Sequence, residues 1–369
     1  MEVSRPYGFD KGLFFAALVL IALGLVMVFS ASGVPATQKY QQPWYYFVHQ
    51  LIGSVMGLGL IAVVLAVKKP FYQNTLFVFG LLGLSLGLLV FCFMMPTVAN
   101  TNRWIVFFGI RFQPSELAKI SLILFLAWYL DRRKDKIREL PSFFVPLAVI
   151  GVFVMLILRE PDFGTAILVF GLCALLLFVG GVRIKYFAGL GLLALPVFTY
   201  YVLTASYRLD RVLAFLSPEK NLQSLNFQVA QSKLAVGSGG LLGVSLGMSV
   251  QKLFLPCAHT DFIFAILGEE LGFIGAVATL ALFAILVWRG IVIAMKAPNI
   301  FSQLAATGLT LLIGTQALLN ITVVLGLGPA KGVPLPLLSY GRSSLLMTLF
   351  AMGLLLHISR RRLITKAAG

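Results

Sequence analysis

Charged side chains are scarce in this sequence. Only 11% of its 369 residues are Asp, Glu, Lys or Arg, against about a quarter in a soluble globular domain. That shortage excludes a fold with an ordinary water-facing surface. Among the charged residues carboxylates are the fewer: 13, against 29 Lys and Arg, for a net charge of +16. Histidine and cysteine number three each. His49 and His357 stand alone, and zinc ligation needs several His or Cys close together. Cys92 and Cys173 lie in apolar runs as small hydrophobes and Cys257 lies in a connection, so no disulfide framework is visible. No Walker loop is present, which leaves ATP-driven transport without an engine. Nor does any nucleic-acid signature accompany the basic residues, which fall at the ends of apolar runs; nucleic acid is excluded as a partner.

Apolar sequence fills the space that charge leaves, at 59% of all residues. Its runs repeatedly reach the roughly 20 residues that cross a hydrocarbon core of about 30 Å. Lipid offers the backbone no partner, so helices are the default. The pattern predicts an all-α polytopic membrane protein with about ten transmembrane helices, at 12–32, 44–67, 71–95, 113–130, 142–158, 164–181, 186–205, 262–288, 302–326 and 343–358. The first run is too long for a signal-peptide core and reads as an uncleaved span. Arg5, Lys11, Lys68, Lys69, Arg132, Arg133, Lys134, Lys136, Arg138, Arg183, Lys185, Arg289, Lys296, Arg360, Arg361, Arg362 and Lys366 occupy alternate connections and both ends of the chain. The positive-inside rule places both termini in the cytoplasm. The other side then carries one large extracytoplasmic loop between helices 7 and 8, residues 206–260. It holds Gly237-Ser-Gly-Gly-Leu-Leu-Gly243 and enough apolar residues to predict a partly membrane-embedded or re-entrant stretch. No linker divides the chain, so residues 1–369 read as one transmembrane domain.

Ionisable groups in or beside lipid are costly and attract functional suspicion. Glu116 and Lys119, three apart near the outer end of the fourth span, share a helix face and either pair structurally or line a polar cavity. Arg103 and Arg111 have the fork geometry that suits phosphate, with interfacial anchoring as the alternative. Asp261 stands at the outer mouth of the eighth span, above a stripe of Gly268, Gly272 and Gly275 along which a second backbone or a ligand can approach; Glu269 and Glu270 lie off that stripe. Asp favours N-caps, so Asp261 either caps the span, serves chemistry, or does both. Asp162, before Phe163-Gly164-Thr165, reads first as a cap.

An ordered set of strings resembles one known family. These are Gly24-Leu-Val-Met-Val-Phe-Ser-Ala-Ser32, Arg111-Phe-Gln-Pro-Ser-Glu-Leu-Ala-Lys119, Pro161-Asp-Phe-Gly-Thr-Ala166 and Gln228-Val-Ala-Gln-Ser232. His259-Thr-Asp-Phe-Ile-Phe264, Gly268-Glu-Glu-Leu-Gly272 and Gly332-Val-Pro-Leu-Pro-Leu-Leu-Ser-Tyr-Gly341 complete it. The chain resembles, through nearly its whole length, the shape, elongation, division and sporulation (SEDS) family of RodA/FtsW/SpoVE-like proteins. The resemblance implies a peptidoglycan glycosyltransferase in the bacterial cytoplasmic (inner) membrane. It would polymerise lipid II at the outer face beside a class B penicillin-binding protein. Asp261 matches the residue regarded as catalytic, and Glu116 and Lys119 match polar positions of the central cavity. Arg103, Arg111, Asp162, His259 and Ser339 complete the candidate substrate site. An acceptor hydroxyl needs a base within hydrogen-bond reach. A departing diphosphate needs preorganised positive charge, from Lys119, Arg103, Arg111 or loop cations, with or without a divalent cation (magnesium or manganese). Two positions depart from the family pattern: Cys257 replaces a usual Glu, and Arg342 replaces a common Gly. Gly328-Pro-Ala-Lys-Gly332 leans towards division and the short termini towards elongation. The alternatives are a lipid II flippase and a noncatalytic membrane scaffold for the penicillin-binding protein.

Overall fold

Asp10 opens the first helix by accepting the Leu13 amide. Asn74 and Asn299 do the same for later ones, and Pro114 occupies a first-turn position where its missing N–H costs nothing. These local signals fix starts; lipid does the rest, because a backbone without water must bond within its own segment. The computed structural model describes residues 8–95, 103–107, 110–203, 225–328 and 332–368. It contains α1 (Lys11–Tyr40), α2 (Tyr45–Ala66), α3 (Thr75–Cys92), α4 (Pro114–Arg132), α5 (Leu140–Arg159), α6 (Phe163–Val179) and α7 (Ile184–Leu203). After these come α8 (Leu225–Ser238), α9 (Ile263–Met295), α10 (Ile300–Val324) and α11 (Arg342–Ala368).

The chain is a multi-pass, all-α membrane protein, and each expected span coincides with a helix. Among the described residues seven helices (α1, α2, α3, α5, α9, α10 and α11) are long and apolar enough to cross a bilayer. The other three expected spans differ in kind. The apolar α6 is shorter. Residues 204 and 205, at the end of the seventh expected span, lie outside the described residues. In α4 the first turn carries Glu116 and the body carries Lys119, yet every residue except Trp128, Asp131 and Arg132 is buried. It packs against α3, α6, α10 and α11, so protein rather than lipid surrounds its polar groups. Just before it the chain makes an antiparallel hairpin that the apolar pattern did not signal, β1 (Ile105–Phe107) and β2 (Ile110–Phe112), with Val106 opposite Arg111.

One end of the bundle is closed by polar contacts among basic segments. Arg289 holds Asp10 in two bonds, of 2.9 and 2.6 Å. His357 Nε2 donates to the Val67 carbonyl at 2.8 Å, and Arg132 reaches Thr75. At the opposite end the glycine-rich segment folds back onto α9. Residues 206–224 of the expected loop include 19 of the positions outside the description; 225–238 form α8, and the chain from Gly239 to Val244 lies against a break in α9. There Gly272 has φ 67°, open to glycine and strained for other residues. The interrupted ladder is completed by the incoming backbone. The Val244 amide donates to the Glu269 carbonyl at 3.0 Å, and the Phe273 amide donates to the Gly240 carbonyl at 2.9 Å. A Cβ on Gly243 would overlap the Glu270 carbonyl, so small residues on both elements permit the approach.

Candidate active site

Asp261 sits on a turn, and its surroundings are built from three distant segments. The carbonyl of Cys257, whose φ of 57° reverses the chain, accepts from the amides of Thr260 (3.0 Å) and Asp261 (3.2 Å). The N-cap position of α9 falls to Phe262 and has no side-chain cap bond. From α10, Asn320 Nδ2 donates to the Asp261 carbonyl and to the Val333 carbonyl, both at 2.7 Å. This amide ties the turn to the segment containing Gly332, where an added Cβ would stand 2.9 Å from Asp261 Oδ2. Only a residue without a side chain lets the carboxylate rest there. Asp261 keeps part of its surface exposed.

Ser339 secures the same turn from the segment before α11. Its hydroxyl donates to the Thr260 carbonyl at 2.6 Å and accepts from the Leu335 amide at 2.8 Å. The Gln50 side chain donates to the Ser339 carbonyl at 3.0 Å. Next in line, the Tyr340 amide donates to the His259 carbonyl at 2.9 Å. The His259 ring lies 4.5 Å from that of Tyr46, and burial pulls its pKa down to about 4, so the imidazole is neutral at physiological pH. Burial raises the pKa of the Tyr340 phenol, and the nearby guanidinium groups of Arg342 and Arg111 oppose that rise.

The remaining candidates divide between this neighbourhood and the α4–α6 corner. Arg111, on β2, is exposed, and its carbonyl accepts from Ser343 Oγ at 2.9 Å; the hairpin thereby meets the start of α11. Glu116 and Lys119 form a buried ion pair at 2.8 Å within α4. Asp162 caps α6 through the Thr165 amide and hydroxyl, at 3.1 and 2.9 Å, and accepts from Gln113 at 3.2 Å. Arg103 is directed elsewhere than to Asp261: Nε donates to the Glu160 carbonyl at 2.9 Å, and the same guanidinium bonds the Pro161 carbonyl. It braces the corner between α5 and α6.

Residues 11–363 match the model of a family described as cell cycle proteins, which covers FtsW, RodA and SpoVE. The chain belongs to that family. Members similar to it include a probable peptidoglycan glycosyltransferase FtsW from Geobacter sp. (strain M18), 40% identical over 365 residues, spanning 97% of this chain and 99% of the relative. Stage V sporulation protein E of Bacillus subtilis is 40% identical over 356 residues, spanning 95% and 96%. Among solved structures, a chain from work on the coordination of polymerization and crosslinking by a peptidoglycan synthase complex superposes with a TM-score of 0.82 at 30% identity. It covers 96% of this chain and 98% of that one.

Within this FtsW/RodA/SpoVE-family chain, one polar group at the turn escaped the sequence reading, and two acids noted there acquire partners only in the fold. The missed group is Asn320: inside an apolar span, an isolated Asn gives no hint that it reaches a residue 59 positions away. Glu269, off the glycine stripe, is buried and accepts from Ser249 Oγ at 2.5 Å and from the Val250 and Gln251 amides at 3.0 and 3.3 Å. Glu270 accepts from Ser30 at 2.5 Å and lies 3.5 Å from Lys252 Nζ. The adjacent acids thus hold the returning loop, and Glu270 also holds α1, to α9. Only the pairing of two acids with small residues at 268 and 272 marked the place in advance.

Proposed function

We propose that this chain is a peptidoglycan glycosyltransferase that polymerises lipid II at the extracytoplasmic face of the bacterial inner membrane. A class B penicillin-binding protein is the partner that crosslinks the strands. The observation that carries this reading is the carboxylate of Asp261. It stands part-exposed on a turn clamped by Asn320 and Ser339, against a glycine, at the end of the bundle away from the basic connections. Family membership and the similarity to a peptidoglycan synthase component support the same conclusion.

The chemistry follows from the parts. Lipid II is held in the membrane by its polyprenyl diphosphate, so the reaction must take place at a bilayer surface. Asp261 accepts the proton of the attacking sugar hydroxyl as its oxygen bonds to the anomeric carbon of the donor. The bond from that carbon to the diphosphate breaks, and configuration inverts in a single displacement. Fixed positive charge stabilises the departing diphosphate. Arg111 and Arg342, whose charges act on Tyr340, are the candidates for that charge. Lys119 is already neutralised by Glu116, and Arg103 is committed to two carbonyls. Among the described residues no three His, Cys, Asp or Glu side chains converge as a metal cage. A divalent cation would therefore rest on Asp261 and on the diphosphate itself, as magnesium does with one or two carboxylates plus phosphates. Neutralising diphosphate charge is what it would supply.

The test is a gel of glycan products made from lipid II by the wild-type protein and by Asp261→Ala, each with a transpeptidase-inactive partner. The variant should fold as well as wild type and make no polymer. Full-length strands from purified Asp261→Ala would remove the base, and with it the enzyme mechanism.

A further inference from the structure

We propose that the rings of Tyr40, Tyr45, Tyr46, His259 and Tyr340 form a saccharide-binding wall beside Asp261, taking pyranose rings of the glycan substrate. The inference rests on the glycosyltransferase reading and extends it to where the sugar lies. Three separate stretches of chain build the wall. Tyr40 ends α1 and stacks on Tyr45 at the start of α2, with centroids 3.8 Å apart and planes 12° apart. Tyr46 meets Tyr340 edge to face at 4.9 Å and 81°, and meets His259 at 4.5 Å. His259 lies two residues before Asp261, and the Tyr340 amide donates to its carbonyl at 2.9 Å. The rings are thereby fixed to the same turn as the carboxylate. All five keep part of their surface exposed.

Why should such a wall bind sugar? One face of a pyranose is a plane of C–H groups with partial positive charge, and the negative face of an aromatic ring attracts it. Phenol hydroxyls at the margin exchange hydrogen bonds with sugar hydroxyl and acetamido groups. Arg111 and Arg342 lie near Tyr340 and add charged donors at the same edge. The competing explanation is the interfacial belt, in which aromatic side chains anchor a membrane protein among headgroups. Trp44, 55% exposed, suits that role. The five rings instead pack on one another and join the ends of α1 and α2 to the turn that carries Asp261, an arrangement that anchoring does not require.

The experiment uses the whole protein in lipid nanodiscs. Saturation-transfer NMR with chitotetraose, an N-acetylglucosamine tetramer lacking diphosphate and lipid, reports sugar contact directly. Wild type should saturate the tetramer; Tyr46→Leu and Tyr340→Leu should not, and Tyr46→Phe should retain the effect. With lipid II as substrate, the Leu variants should raise KM about tenfold, the scale of losing one good aromatic contact, while kcat stays within twofold. Tyr45→Leu provides the same test if Tyr46→Leu does not fold. Wild-type KM in the Leu variants, or no saturation transfer from wild type that polymerises normally, would overturn the wall alone. Tetramer binding by a protein that makes no polymer would sustain the wall and overturn the enzymatic reading.

Discussion

Replacing Asn320 with Leu keeps the side-chain volume close to that of the amide and removes both donors that hold the Asp261 turn. Each of the two 2.7 Å bonds is worth about 1 kcal/mol net. A carbonyl left buried without a partner costs about 1–3 kcal/mol more. Asn320 is 1% exposed, so water does not readily replace the amide. Together these put the local penalty at about 3–5 kcal/mol. If only 2 kcal/mol of that appears as misplacement of the carboxylate in the transition state, kcat falls about thirtyfold. Lipid II affinity should change little, because the amide faces protein carbonyls. Asn320→Asp should be at least as damaging, since it sets a carboxylate against two carbonyl oxygens. The assay is steady-state polymerisation in nanodiscs, with thermal unfolding measured on the same preparations. A wild-type kcat in folded Asn320→Leu would refute the clamp. So would a loss of activity that merely tracks the folded fraction.

Two further tests address stability. Lys119→Met should lower stability by about 3–5 kcal/mol, because it strands the buried Glu116 charge; adding Glu116→Gln should recover much of the loss. Equal thermal shifts in the single and double variants would contradict the ion pair's buried character. The neutral state of His259, with its pKa lowered to about 4 against 6.5 in the unfolded chain, makes a contribution that is fully present above pH 6.5. It is lost as pH falls from 6.5 to 4, reaching up to about 3 kcal/mol. His259→Phe should therefore unfold with a shallower pH dependence over that range, and an unchanged slope would show that other groups set it.

Interactions between residues close in sequence were legible before any coordinates. Apolar runs set the solvent and therefore the helices, because lipid leaves backbone groups no other partner. The three-residue spacing of Glu116 and Lys119 places them on one face of α4, and Asp162 and Thr165 repeat that logic as a cap. The glycines at 268 and 272 advertised close approach without naming the visitor. The expected fourth span carries Glu116 and Lys119 because neighbouring helices, not lipid, surround α4.

What sequence determined alone was therefore the solvent, the helices and the short-range pairs; what tertiary structure decided was the site's assembly. Arg103 looked equipped for phosphate, yet packing gives it two carbonyls 57 and 58 residues away. Asn320, Gly332, Ser339 and Tyr46 reach the Asp261 turn from separate parts of the chain. Spacing along a helix dictates neighbours only within about a turn. Beyond that, which groups meet depends on how helices cross, and the apolar surfaces that drive their packing carry little information about direction.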